Sequence, residues 1–169
     1  EKAPLQRAVQ LLKRHRDKMF VDNPDSKPIS VIISTIAAKS YSGVKTIEEA
    51  LHEALSGLKQ FAVSGAEVVP NPVNPAENFA DRWNMPECAH LRLKHNFSIW
   101  VENALHDFNL ILKDSLNETK LSESIEDRLS IRINERDINQ LLGKDNQLMP
   151  THILTPKEIK NPVARPWKK

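Results

Sequence analysis

Behind Pro4, a residue suited to a first helical turn, Leu5, Ala8, Val9 and Leu12 recur at helical spacing and predict a basic amphipathic helix over residues 4 to 20. Lys13 and Arg14 fall off its apolar stripe. Asn23-Pro24-Asp25-Ser26 reads as a turn. Pro28 then opens a second helix through Ile29, Ile32, Ile33, Ile36 and Ala37, which ends at Gly43. Its β-branched residues would also suit a strand. The length of the apolar stretch and its i, i+3, i+4 spacing favour a helix. Thr46-Ile47-Glu48-Glu49 has the form of a capping box, in which hydroxyl and carboxylate satisfy orphan amides. Ile47, Ala50, Leu51, Ala54, Leu55, Leu58 and Phe61 make one stripe behind it.

Residues 64 to 85 change character, because Pro70, Pro72 and Pro75 with Asn71, Asn74 and Asn78 force extended and turn conformations. Val68, Val69, Val73, Phe79 and Trp83 gain by burial, so this long loop is expected to be ordered against the body. From Pro86 a long helix is predicted, with Phe97, Trp100, Val101, Ala104, Leu105, Phe108 and Leu112 on one face, about 27 residues and roughly 40 Å long. A weaker helix follows from Ser122 to Asn134, and a short one from Asp137 stops at Gly143. Prolines 150, 156, 162 and 166 then mark a tail. The expected architecture is all-α: a helical bundle over residues 1–145, with an ordered Pro/Asn-rich loop, and a Pro-rich tail over 146–169.

A chain of 169 residues with 40% apolar and 27% charged residues fits one compact soluble domain. Its four glycines (Gly43, Gly57, Gly65, Gly143) cannot form a glycine-rich phosphate cradle, which needs several within a few residues. Cys88 stands alone, so an intramolecular disulfide and a thiolate-rich zinc site are both excluded, and a reducing compartment is implied. No apolar run approaches the roughly 18 residues of a membrane span, and the expectation is a cytoplasmic protein without a membrane partner.

The net charge of +2 conceals an asymmetry. Residues 1 to 20 hold Lys2, Arg7, Lys13, Arg14, Arg16 and Lys18 against Glu1 and Asp17, whereas seven acids between Glu102 and Asp127 face only Lys113 and Lys120. Such bipolarity suits a local anion site better than the continuous basic track of a long nucleic acid.

Side chains that could carry chemistry are few. Cys88, His90 and His95 invite a metal reading, but on a helix the two histidines, five residues apart, point about 140° away from each other. Glu48-Glu49 and Glu126-Asp127 are adjacent carboxylates facing different directions. No G-x-S-x-G nucleophile elbow is present.

The order of segments is more telling. The basic helix Leu5-Gln6-Arg7-Ala8-Val9-Gln10-Leu11-Leu12-Lys13-Arg14-His15-Arg16-Asp17 precedes Lys27-Pro28-Ile29-Ser30 opening an apolar helix. The Thr46 helix and the loop from Val69-Pro70-Asn71-Pro72-Val73-Asn74-Pro75 through Asn78 to Trp83 follow. This succession, over roughly residues 1 to 112, resembles the helical C-terminal half of nucleotidyltransferases such as 2′,5′-oligoadenylate synthase and cyclic GMP-AMP synthase. It most resembles their bacterial relatives, the CD-NTases, which make cyclic oligonucleotides.

The resemblance implies a two-lobed enzyme whose N-terminal lobe carries a Gly-Ser turn and the acidic residues that bind Mg²⁺, while the helical lobe closes the nucleotide cleft. This chain lacks a Gly-Ser followed by an acidic pair, and its E-x-D match, Glu135-Arg136-Asp137, stands late, so it reads as a catalytically inert fragment missing that lobe. Residue by residue, Lys13 matches a triphosphate-contacting lysine, and Ser30 matches the small polar residue at the start of the next helix. Asn71, Asn78 and Trp83 are expected to shape the loop or reach the cleft. NTPs are the implied substrates and a cyclic di- or trinucleotide the implied product, an anti-phage (CBASS) second messenger. Some relatives are conjugated through their C-termini by an E1/E2-like partner, to which the tail ending Arg165-Pro166-Trp167-Lys168-Lys169 would be presented. A self-contained helical interaction or nucleic-acid-binding module is the rival reading.

Overall fold

In the computed structural model of the protein, residues 3–114 and 118–130 are described. They form five α-helices: α1 (Pro4–Met19), α2 (Ser30–Ser40), α3 (Ile47–Ser64), α4 (Leu93–Asp114) and α5 (Glu118–Leu129). Short 3-10 turns cover Pro24–Ser26, Asp81–Asn84 and Pro86–Leu91. Among the described residues there is no β-sheet, only an isolated bridge between Pro70 and Asn78. The architecture is the all-α bundle expected from the periodicity. The helix expected from Asp137, the Glu135-Arg136-Asp137 match and the tail over 146–169 lie outside the described residues.

α3 is the central packing element, lying against α1, α2 and α4, while α5 closes over α4 and α1. Its start follows local chemistry: Glu49 N–H donates to Thr46 Oγ1 at 3.1 Å and Thr46 N–H donates to Glu49 Oε2 at 3.2 Å, completing the capping box. At its end Gly65 takes a left-handed conformation with φ of 69°. Ala8 and Leu12 from α1, Ile32 and Ile33 from α2, Leu58 from α3, and Phe97, Trp100 and Phe108 from α4 make up one core.

α2 is shorter than the expected run from Pro28 to Gly43. Lys27, before a proline, is extended (ψ 147°), and Ile29 is still extended (ψ 146°), so helical geometry starts at Ser30 and stops at Tyr41. Ile32, Ile33, Thr35, Ile36 and Ala37 are all buried, which supplies the packing that outweighs the β-branched preference of the isoleucines and Thr35.

The single long helix expected from Pro86 is in fact two elements. A 3-10 turn runs to Leu91, Arg92 adopts a left-handed conformation (φ 50°), and α4 begins at Leu93. An unbroken α-helix would point Cys88 and Leu93 about 140° apart. The break lets both side chains be buried, at 8% exposure each. Asn96 secures the junction, its Nδ2 donating to Leu91 O at 2.9 Å and to Ser26 O at 3.2 Å. The helix expected over Ser122–Asn134 is observed as α5, which starts earlier and ends where Ser130 turns left-handed (φ 52°).

The basic first helix and the acidic later segment lie against each other. Arg14 donates from Nε to Leu129 O at 3.3 Å and from Nη2 to Ser130 O at 3.2 Å, so it caps the carbonyl end of α5. Beside it, buried His15 accepts the Trp100 indole N–H on Nδ1 at 3.1 Å and donates from Nε2 to Asp107 Oδ2 at 3.0 Å. The indole is only a donor, which fixes the imidazole as its neutral Nε2–H form. Asp107 Oδ1 receives Arg128 Nη1 at 2.7 Å, completing a four-residue chain across α1, α4 and α5.

Candidate functional site

The concavity with the most basic side chains among those lined by described residues opens at the start of α2. It is about 480 Å³ in volume, and Arg16, Lys27, Ser30, Arg82 and His90 stand around it with one carboxylate, Asp25. Three elements supply these groups. α1 brings Arg16, the Pro28 corner brings Lys27 and Ser30, and the end of the Pro/Asn-rich loop brings Arg82.

Arg16 is 4% exposed, and all three nitrogens of its guanidinium are engaged. Nη1 donates to Pro28 O and to Ser30 Oγ, both at 2.9 Å, while Nε and Nη2 donate to Asp17 Oδ1 at 3.1 and 2.7 Å. Lys27 Nζ shares that Asp17 oxygen at 3.1 Å. Burial pushes the Asp17 carboxyl up, but the hydrogen bonds from Arg16 and Lys27 outweigh it and hold the group below its ordinary value. One carboxylate therefore serves two cations, and the corner keeps a positive excess. Ser30 is the first helical residue of α2, where backbone N–H groups lack intrahelical partners. Phosphate chemistry is what such an array of donors and positive charge suits.

The residues singled out in the sequence fall into two groups. Ser30 lines the pocket. Lys13 does not line it, but lies one turn before Arg16 and Asp17 on the same side of α1, half-buried. Asn71, Asn78 and Trp83 belong to the loop. Asn78 Oδ1 accepts from Val69 N at 2.8 Å and Ala80 N at 2.9 Å, and Nδ2 donates to Glu67 O at 3.2 Å. Asn71 Oδ1 accepts from Val73 N at 2.9 Å, and its amide donates to Glu77 Oε2 at 2.6 Å. Trp83 packs on Phe61 and Phe97 at centroid distances of 6.2 and 5.4 Å. It lines a neighbouring concavity with Arg92, Lys94 and His95 rather than the Ser30 pocket. The loop's link to the pocket is the preceding residue, Arg82.

Sequence reasoning missed Arg16, which it counted only among the basic residues of the first segment, and it missed Arg82. A helical projection could have flagged Arg16, because it lies one turn after Leu12 at the stripe's edge. Arg82 carries no comparable signal. Among the described residues no group of three or more histidines, cysteines or carboxylates is placed to hold a metal ion. Cys88, His90 and His95 are split by the Arg92 break.

Comparison with known proteins places this geometry in context. The chain is 46% identical over 88 residues to a protein of Roseivirga ehrenbergii named c-di-GMP synthase. The match covers 49% of this chain and 23% of that protein. The chain is thus similar to part of a cyclic-dinucleotide synthase. No family profile and no solved structure matches it. Among the described residues no helix is long and apolar enough to cross a membrane.

Proposed function

We propose that this chain is the helical lobe of a CD-NTase-like nucleotidyltransferase that makes a cyclic dinucleotide, and that the corner between α1 and the start of α2 holds the triphosphate of a bound NTP. The observation carrying this reading is the 46% identity to a named c-di-GMP synthase over a segment that includes nearly half of the chain. The cationic pocket at Ser30 is its chemical counterpart. Lys13 supplies a point charge, Ser30 a hydroxyl and free helix-start amides, and Lys27 and Arg82 further positive charge. Together they position the nucleotide for in-line attack of a ribose hydroxyl on its α-phosphorus, with pyrophosphate as the leaving group. Mg²⁺ belongs to the acidic residues of a second lobe outside this chain, where it would neutralise the phosphates. Signalling in anti-phage defence from the cytoplasm, and C-terminal conjugation by an E1/E2-like partner, are the corresponding cellular proposals.

The test starts with the coding sequence upstream of Glu1 and the full protein it specifies. With Mg²⁺ and each NTP, mass spectrometry of the product should show a cyclic dinucleotide, with GTP as the first substrate tried. Lys13→Ala should weaken nucleotide engagement by about 1.5–3 kcal/mol, the scale of a charged hydrogen bond, and so raise KM by about one to two orders of magnitude. Absence of any cyclic product, together with strongly salt-dependent binding of the chain to long DNA or RNA, would replace this reading with the binding-module one.

A further inference from the structure

We propose that Arg16 is a positioning residue, which acts on the nucleotide through Ser30 by fixing the direction of the Ser30 hydroxyl proton. This rests on the reading of the Ser30 corner as a triphosphate site.

A serine at a helix start usually turns its oxygen back on the helix to cap it. Ser30 does not, because the capping position belongs to Ile29 and no side-chain cap is formed there. Its Oγ instead accepts Arg16 Nη1 at 2.9 Å. A guanidinium has donors only, so the Ser30 proton cannot return the bond and must point elsewhere. No acceptor for it exists among the described residues. The hydroxyl is held as a directed donor on the wall of the pocket, next to the unpaired amides at the start of α2.

The clamp is rigid. The same Nη1 donates to Pro28 O at 2.9 Å, and the other edge of the guanidinium is fixed on Asp17. With its side chain only 5% exposed, Arg16 has little room to reach a ligand itself. Its charge is also spread over Asp17, so its main effect on a phosphate oxygen is to aim the donor in front of it. Preorganisation of this kind lowers the ordering cost of binding and leaves the chemical step unchanged.

A double-mutant cycle on the full protein tests this, with KM and kcat measured against the NTP that supports cyclic product formation. Ser30→Ala should raise KM about tenfold with kcat changed less than about twofold. Arg16→Gln should raise KM by a similar factor alone and by less than about twofold in the Ser30→Ala background. Equal increases in both backgrounds, or no increase with Ser30 present, would overturn the role of Arg16 and leave the proposed function standing. An unchanged KM in Ser30→Ala would overturn the Ser30 part of that function itself, and Arg16 with it. Where Arg16→Gln does not fold, Arg16→Lys keeps a cation but loses the planar fork that holds Asp17, Pro28 O and Ser30 together. It should raise KM about threefold with Ser30 present and not at all in Ser30→Ala, and any other pattern counts against the inference.

Discussion

Gly57 stands mid-helix in α3, where glycine costs about 0.8–1 kcal/mol relative to alanine, so Gly57→Ala should stabilise the protein if propensity alone decided. Packing decides otherwise. A Cβ at Gly57 would fall on Ser40 Oγ and within 2.7 Å of Ser40 Cβ, at the end of α2. The offending atom is next to the backbone and the hydroxyl is tied to Ile36 O at 3.1 Å, so α2 and α3 must move apart. Overpacking of this kind costs about 1–3 kcal/mol, and after the propensity gain the net loss should be about 1 kcal/mol. Removing the obstacle should reverse the sign. In a Ser40→Gly background the remaining neighbour is Ile36 O at 3.7 Å, and Gly57→Ala should gain about 1 kcal/mol. Urea unfolding of the four proteins reads both values, and a shift of about 2–4 °C in Tm per kcal/mol supports them. Stabilisation by Gly57→Ala with Ser40 in place would refute the close approach of the two helices.

Burial, only partly offset by Asp107, holds His15 below its ordinary pKa of 6.5, so the unfolded chain takes up this proton first as pH falls. The stability from this site is complete above pH 6.5 and declines as pH drops toward the folded-state value. Urea midpoints between pH 8 and 5 should fall less steeply in His15→Gln, and an unchanged slope would refute the assignment. Arg14→Ala removes the cap on α5 and should cost about 0.3–1 kcal/mol, seen as faster amide exchange confined to the last turn of that helix. Asn78→Ala strands the Val69 and Ala80 amides and should cost about 1–3 kcal/mol, with a change in the near-ultraviolet dichroism of Trp83.

Much of the fold could be read from the chain because its determinants are local. The Leu5–Leu12 and Ile47–Phe61 stripes and the Thr46–Glu49 box are each built from spacings of three or four residues. The break at Arg92 could not be read, since Leu91-Arg92-Leu93 contains neither glycine nor proline and is decided by what Cys88 and Leu93 must bury. The candidate site divides in the same way. Ser30 was singled out through the family resemblance, while the residues alone put the helix start two positions early, at Pro28. A helical projection could place Arg16 at the stripe's edge, but its partner Pro28 O and the Trp100 partner of His15, 85 residues away, are not written in either residue's own helix. Charge counting separated a basic beginning from an acidic later segment, yet it could not show that Arg14 lies on the last carbonyls of α5 or that Asp107 is shared by neutral His15 and Arg128.

The loop before Trp83 is closed at its base by one side chain, with Asn78 bonded to backbone groups of Glu67, Val69 and Ala80, and by Phe79 N–H donating to Val69 O at 2.8 Å. Asn71 N–H donating to Glu77 O at 2.9 Å continues that closure toward the tip, where Val73 is 92% exposed. Lengthening a loop whose ends are already pinned is inexpensive, about 0.6 kcal/mol per doubling. The segment between Val73 and Ala76 is therefore a natural insertion point. A short peptide tag or a fluorophore-bearing cysteine placed there would stand on a fixed stem, reporting on the helical bundle while Arg82 keeps its place at the pocket.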